Sequence, residues 1–301
     1  MNHFHKLWVD ANRPDGHKLK NKFVPIDVGW RDVPITPGGP KRDDAWAAEQ
    51  IANTSPEQFE QEYGCSFLGS ANTLISSTKL NVLAPEEFLT EDNDGLRIFE
   101  NPQSDKIYFL QADVSRGQGS DYSAFTVIDG STSPYKVVAT YKNNTISPFS
   151  FPQIIKNVGE KYNKAYVLIE TNDLGAQVSH SLYNDLEYDN LLMTKILGRR
   201  GQVLSQGFGG VGKNEMGIRT TAQTKKLGCA ILKRLIEEDK ILLNDDRIIQ
   251  ELLSFVSKSN TYKAEEGQND DLVMTLVFFA WLSRQEYFAD LIESAKFDML
   301  S

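Results

Sequence analysis

The spacing of apolar and polar positions changes along the chain and separates two regions. From about residue 100, apolar runs at 107–114, 123–128 and 135–141 are divided by Gly- and Ser-rich turns, which predicts three consecutive antiparallel strands. Beyond these runs, stretches with helical periodicity alternate with short apolar segments. Strands in a row followed by alternating helices and strands predict a mixed sheet flanked by helices.

The second half of the chain supplies further strands and helices. Three consecutive strands followed by alternating helices and strands match a ribonuclease H-like fold, an α/β fold with a mixed sheet. Strands are predicted at 166–170, 191–196 and 241–243, and helices at 152–162, 175–186, 223–238, 246–255 and 271–292.

Residues 1 to about 70 have a different pattern. A short strand is predicted at 23–28, and a Pro- and Gly-rich loop follows at 34–40. Helices are predicted at 45–51 and from Ser55, which is placed as an N-cap before Pro56. The change near residue 70 predicts two domains, in keeping with a length of 301 residues.

Composition excludes several classes of protein. The chain has two cysteines and no Cys-x-x-Cys, which argues against a disulfide framework or a zinc cluster. The N-terminus lacks the pattern of a signal peptide. The longest apolar run, 272–282, is 11 residues long, whereas a membrane span needs about 20. We therefore expect a cytoplasmic protein with no membrane partner.

Three acidic segments lie where predicted elements begin or end. Asp113 lies at the end of the first predicted strand, and Glu170 ends the strand that follows the first helix, which places both at the carboxyl edge of the sheet. Asp271 begins the last helix, directly after Asp270. Carboxylates beside a core are costly unless they bind a cation, and oxygen ligands suit Mg²⁺. Their convergence predicts two-metal cleavage of a phosphodiester.

Each of these acids also has an ordinary structural explanation. Asp113 precedes a Gly-rich turn that it is suited to cap, and Asp121, across that turn, suits a turn as well as a metal site. Glu170 is equally compatible with a side chain that emerges into solvent. We expect Asp270 to cap the last helix or to lie in the outer shell, and Asp271 to bind metal.

Basic side chains concentrate between residues 195 and 234, which contain nine Lys or Arg and one acid, although the net charge is −9. Such a stripe either binds phosphates or is a solvated helix face. Within it, 207–213 match G-x-x-x-x-G-K, but Asn214 replaces the Ser or Thr that binds Mg²⁺, and no buried strand precedes the segment. We predict a Gly-rich loop over a DNA backbone. The predicted phosphate contacts are Arg199, Arg200, Lys213, Arg219, Lys225 and Lys226.

Several segments together resemble the large terminase subunit, the DNA-packaging motor, of contractile-tailed phages. The resemblance covers nearly the whole chain and is specific in order and spacing. It is carried by the runs Asp113–Ala124, Ile169–Gly175, Ala264–Gly267 and Asp270–Met274, and by 50–69 and 73–76. The resemblance implies a ribonuclease H-like nuclease domain at 71–301, preceded at 1–70 by the end of the ATPase region and a hinge.

The resemblance also implies roles for individual residues. The family's metal-binding triad falls on Asp113, Glu170 and Asp271, and Asp121 matches a further acidic position near the metals. Two Mg²⁺ or Mn²⁺ ions are the implied cofactors, with Asp270 in the outer shell. The family's Walker segments are missing, so we do not expect ATP hydrolysis.

The implied function is a metal-dependent endonuclease of low sequence specificity that cuts concatemeric phage DNA when genome packaging begins and ends. The implied partners are double-stranded DNA, the portal protein, the small terminase subunit and the motor's ATPase domain, in the cytoplasm of the infected host and on the prohead. The alternatives are a resolvase or exonuclease on the same fold, or a non-catalytic docking module for the portal or the ATPase. An independent P-loop ATPase is disfavoured.

Overall fold

A computed structural model describes residues 7–8, 10–12, 15, 20–26, 28–55, 58–59, 62–64, 72–119, 121–198, 201–205, 214–259 and 261–300. The helices are α1 (Asp44–Asn53), α2 (Ser77–Val82), α3 (Phe151–Lys161), α4 (Gly175–His180), α5 (Ala222–Glu237), α6 (Asp246–Ser254), α7 (Asp271–Leu282) and α8 (Glu286–Leu300). A 3₁₀ turn spans Trp30–Asp32, and a π turn, Ser181–Asp185, continues α4.

Twelve strands lie in the described part of the chain. They are β1 (Thr90–Glu91), β2 (Leu96–Ile98), β3 (Tyr108–Asp113), β4 (Ser123–Asp129), β5 (Tyr135–Asn143), β6 (Tyr166–Ile169), β7 (Thr194–Ile196), β8 (Gln202–Leu204), β9 (Asn214–Glu215), β10 (Ile241–Leu242), β11 (Phe255–Lys258) and β12 (Thr261–Ala264).

A seven-stranded mixed sheet forms the centre of the fold. Its order is β1-β2-β5-β4-β3-β6, and β10 pairs with β5. The neighbours β3, β4 and β5 are antiparallel, as the three apolar runs predict, whereas β6 is parallel to β3. The antiparallel meander and the mixed sheet predicted from the sequence are therefore confirmed.

Helices cover both faces of this sheet. Side chains alternate along β3, so that Phe109 packs with Leu276 of α7 in one core cluster, and Leu110 packs with Ile155 of α3 in the other. The helices α5 and α6 share the cluster that contains α7. A buried hydroxyl pair, Thr126 on β4 and Thr275 on α7, joins the sheet to α7 at 3.0 Å. This contact fixes how α7 lies on the sheet.

Two sequence expectations differ from the structure, and one hairpin was not expected. The helix predicted at 271–292 is divided into α7 and α8, and after the break Phe288 packs on Phe109 with ring centroids 4.9 Å apart. The hairpin β11–β12 was not predicted. The strand predicted at 23–28 is absent from its described residues, 23–26 and 28, where Phe23 and Val24 are exposed and have no strand to pair with. In the described part of the chain, no helix has the length and apolarity needed to cross a membrane.

Candidate active site

Two neighbouring parallel strands bring the first two predicted acids together. Asp113 is the last residue of β3, and Glu170 directly follows β6. Ala112 lies opposite Ile169 in the parallel register, and the Glu170 N–H donates to the Ala112 carbonyl at 2.9 Å. Both acids therefore emerge at the same edge of the sheet, where the two carboxyl groups interact directly.

The main chain at Glu170 is held from two further directions. Glu170 forms a parallel bridge with Ile218, and the next residue, Thr171, donates its N–H to the Ile218 carbonyl at 2.7 Å. On the other side, α4 approaches so closely that a Cβ at Gly175 would lie 1.6 Å from the Glu170 carbonyl oxygen. Only glycine fits there, and this close packing fixes the position of Glu170.

Helix α7 supplies the third acid. Asp271 is its first residue and lies four residues, about one helical turn, before Thr275, the residue that bonds to the sheet. Because Thr126 is opposite Gln111, two residues before Asp113, this contact places the start of α7 at the level of Asp113. The Asp271 side chain is 13% exposed, and its Oδ2 is buried with no hydrogen-bond partner.

Burial and neighbouring charges shift the ionisation of two of these acids, Asp113 and Asp271. Burial raises the pKa of Asp113 well above its usual range, and the charges of Glu170, Asp271 and Asp270 raise it further. Burial and the charge of Glu251 raise the pKa of Asp271 to about 7, although Lys142 acts in the opposite direction. The positive charge of Lys142 therefore does not compensate the buried carboxylates of Asp113 and Asp271. These carboxylates must take up either protons or a cation.

The donor set suits a hard divalent cation. Carboxylate oxygens are the ligands that Mg²⁺ prefers, and Asp271 Oδ2 has no hydrogen bond that would compete with a cation. Among the described residues, no group of three or more His, Cys, Asp or Glu side chains is close enough to hold one ion. Asp113 and Glu170 are in direct contact, and Asp271 acts on Asp113 through its charge.

The structure corrects the capping role expected of Asp270. Asp270 occupies the N-cap position of α7 but makes no capping hydrogen bond. Its Oδ2 instead accepts the Ala264 N–H at 3.2 Å and lies 3.8 Å from the Lys225 ammonium, because the hairpin β11–β12 and helix α5 pack beside it. Asp121 is exposed in the loop before β4.

The predicted phosphate contacts have different surroundings. Arg219 is exposed and pairs with Glu215 at 3.0 Å, and Lys226 is exposed on α5. Lys225 is only 18% exposed and faces Asp270. Arg199, Arg200, Lys213 and the whole segment 207–213 lie outside the described residues.

Sequence reasoning missed two residues of the site, Lys142 and Glu251. Lys142 on β5 and Asp113 on β3 flank Ala124 of β4 in one row across the sheet. Glu251 lies on α6, is 5% exposed and accepts a short hydrogen bond from the Lys142 ammonium. The pattern of α6 contains a signal for Glu251, which lies between the buried Ile248 and Leu252 on the same helix face.

Most of the chain, including the three acids, matches the model of a known protein family. The model of the Terminase RNaseH-like domain family matches residues 110–295, a range that contains Asp113, Glu170 and Asp271. The chain belongs to this family. The resemblance to large terminase subunits is thereby confirmed, together with the ribonuclease H-like fold.

Individual relatives agree with this assignment. The chain is 25% identical over 238 residues to the large terminase subunit of Thermus virus P23-45, and 25% identical over 240 residues to that of Thermus phage G20c. Each alignment covers 77% of this chain and 42% of the relative, so the chain spans less than half of the length of these terminase subunits.

Solved structures show the same fold. The crystal structure of the large terminase nuclease from thermophilic phage G20c with bound magnesium has a TM-score of 0.52 at 20% identity, and that with bound cobalt has 0.52 at 21%. Each comparison covers 72% of this chain and 100% of the solved chain.

Proposed function

We propose that this chain is the nuclease portion of a phage large terminase subunit and cuts concatemeric phage DNA, with divalent metal ions, when packaging begins and ends. The observation that carries the proposal is the convergence of Asp113, Glu170 and Asp271 at one sheet edge, where Asp271 Oδ2 is buried without a hydrogen-bond partner. Family membership over 110–295 supports it. So do the magnesium and cobalt bound to the similar nuclease of phage G20c.

In this proposal, two Mg²⁺ or Mn²⁺ ions would be held by the carboxylates of Asp113, Glu170 and Asp271. The chemistry that these ions supply when bound is a lowered pKa of the attacking water and neutralisation of charge at the leaving 3′ oxygen. The protein's own contribution is to hold three carboxylates in place, two through paired strands and one through a helix packed on the sheet. No side-chain nucleophile is required.

The neighbouring acids have secondary roles in the proposal. Asp270 acts from the outer shell, because its carboxylate is already engaged by the Ala264 N–H and lies near Lys225. Asp121, exposed beside the Gly-rich turn, is a further acidic position near the metals.

Double-stranded DNA is the proposed substrate, held through its phosphates by the basic stretch between 195 and 234. Arg219 and Lys226 are the exposed members of this stretch that best suit such contacts, which position DNA without specifying sequence. The proposed partners are the portal protein, the small subunit and the ATPase domain of the motor, in the cytoplasm of the infected host. Residues 1–70 would then belong to the ATPase region and hinge, and 71–301 to the nuclease domain.

Supercoiled plasmid tests the chemistry directly. The wild type, Asp113→Asn and Asp129→Asn are incubated with plasmid in Mg²⁺, Mn²⁺ or EDTA. Asp129 ends β4, lies opposite Tyr108 at the far end of β3 and pairs with Lys106, so it is a matched Asp outside the site. We expect metal-dependent nicking and linearisation by the wild type and Asp129→Asn, and none by Asp113→Asn.

Other outcomes identify the alternatives. Activity on linear DNA with covalently closed plasmid left intact would indicate an exonuclease. A folded wild type that cuts no DNA in any metal would favour the docking module. Within the site, we expect Asp271→Asn to abolish cleavage and Asp270→Asn to leave measurable activity; equal losses would contradict the roles assigned to these two residues.

A further inference from the structure

The first turn of α7 is capped by a residue from another helix. The Val273 N–H is one of the free donors at the start of α7 and is normally satisfied by the side chain at the N-cap position. Here that residue, Asp270, makes no cap. The Val273 N–H instead donates to Glu251 Oε2 on α6 at 2.9 Å.

The charge of this external cap is compensated where it is buried. Lys142 donates a short hydrogen bond to the other Glu251 oxygen, and its ammonium lies 4.4 Å from the centre of the Tyr122 ring. Glu251 and Lys142 are 5% and 12% exposed in their side chains. A buried carboxylate paired in this way is held firmly, since both of its oxygens have partners.

The consequence falls on Asp271. Acids in the first turn of a helix commonly satisfy its free N–H groups, and an Asp271 carboxylate used in that way would have less capacity for a cation. Because Glu251 takes the Val273 donor, Asp271 Oδ2 is left buried and without a hydrogen bond, 3.8 Å from the Lys142 ammonium.

We propose that Glu251 is a positioning residue for the metal centre: it caps α7 from outside, with its charge held by Lys142, and so keeps Asp271 Oδ2 free of a helix N–H and oriented to receive a divalent cation. This inference rests on the proposed function, because it assumes that Asp271 is a metal ligand. Glu251 itself acts through α7 and not as a ligand.

Two substitutions at one position separate capping from charge. Glu251→Gln removes the negative charge but keeps an oxygen that accepts from the Val273 N–H. Glu251→Met removes the same charge and the acceptor while filling similar space. Mn²⁺ binding is measured without DNA, by titration with electron paramagnetic resonance of the free ion, beside plasmid cleavage and thermal unfolding in EDTA.

We expect the Mn²⁺ affinity of Glu251→Gln to be at least about tenfold higher than that of Glu251→Met. This is the effect typical of losing a residue that supports a metal ligand. Equal affinities in the two variants would overturn the proposal, because the effect would then be one of charge alone. Wild-type affinity in Glu251→Met would overturn it as well. Asp271→Asn is measured in parallel. If its Mn²⁺ affinity equals that of the wild type, the role of Asp271 as a metal ligand in the proposed function is contradicted, whatever the result at Glu251.

A second pair of variants keeps the test valid if Glu251→Met does not fold, since that change leaves Lys142 buried without a partner. Lys142→Met with Glu251→Met replaces the ion pair by apolar side chains, a change that proteins often tolerate. Lys142→Met with Glu251→Gln carries the same net charge but keeps the cap. We expect the second double variant to bind Mn²⁺ about tenfold more tightly than the first, and equal binding would overturn the proposal.

Discussion

Asp271→Asn is expected to stabilise the metal-free protein while it removes a proposed ligand. The change keeps the shape of the side chain and removes a charge that burial and Glu251 make costly: the pKa is about 7 against an ordinary 3.8. Each pKa unit is worth about 1.4 kcal/mol, so ionised Asp271 costs the metal-free fold on the order of 4 kcal/mol. The Asn amide must find its own partners beside Lys142, so we expect a net gain of about 2 kcal/mol.

The sign of this effect depends on pH. Between about pH 4 and pH 7, the folded wild type keeps a proton on Asp271 that the unfolded chain has released, so the wild type loses stability as pH rises through this window. Above about pH 7 both states have released the proton and the loss is constant. At the acid end Asp271 is protonated in both states, so only the cost of the Asn amide, about 2 kcal/mol, remains and the variant should be less stable than the wild type. The difference should become a gain toward neutral pH and then remain level.

Urea unfolding in EDTA measures this gain, with tryptophan fluorescence as the signal because Trp281 is buried within α7 itself. In the same titration, added Mg²⁺ should stabilise the wild type, because a ligand that binds only the folded state stabilises that state. Mg²⁺ should stabilise Asp271→Asn less. Asp129→Asn is the control and should show no gain. A variant that is no more stable than the wild type at alkaline pH in EDTA, or a gain independent of pH, would refute the reasoning.

Three further substitutions have expected outcomes. Gly175→Ala forces a methyl group against the Glu170 carbonyl, and we expect a loss of about 2 kcal/mol in urea unfolding; an unchanged midpoint would contradict this close approach. Arg247→Met weakens the pairing of the buried Asp245, whose pKa is lowered because Arg247, Thr140 and Arg97 together outweigh the effect of burial. We expect a cost of about 3 kcal/mol at neutral pH and less below about pH 4, where the unfolded chain takes up a proton that the folded wild type does not; a cost independent of pH would contradict this. Lys226→Gln should reduce the slope of log affinity for DNA against log salt by about 1, measured by fluorescence anisotropy, and an unchanged slope would exclude a phosphate contact.

Matched controls accompany these changes. Gly29→Ala inserts a methyl group into ordinary contact distance, 3.6 Å from Asp32, and should be tolerated. Arg234→Met removes an exposed Arg, where ion pairs contribute little. Lys161→Gln makes the same charge change as Lys226→Gln at the end of α3, which packs on the other face of the sheet, and should leave the salt slope unchanged.

Local sequence information was sufficient for the sheet and for the acids at strand ends. Apolar runs divided by turns define β3, β4 and β5, and the position of Asp113 at a strand end needs no knowledge of distant residues. The parallel pairing with β6 then brings Glu170 beside it. Fold and candidate ligands could both be predicted because they depend on short segments.

Contacts between distant segments could not be predicted in the same way. Glu251 is 22 residues from Val273, and its role depends on how α6 and α7 pack, which no local pattern specifies. An Asp before a helix suggests a cap, and of the two roles expected of Asp270 this one was wrong, because the Glu251 carboxylate accepts from the Val273 N–H. The break between α7 and α8 likewise depends on where Phe288 can reach the sheet.

The position of Glu170 has a consequence for how this sequence can change over time. The bonds that hold it run between peptide groups, from its own N–H to the Ala112 carbonyl and from the Thr171 N–H to the Ile218 carbonyl. A peptide group offers the same donor and acceptor whatever side chain it carries, with proline lacking the donor. Substitutions at Ala112 or Ile218 that keep the volume of the core therefore leave the backbone position of Glu170 unchanged.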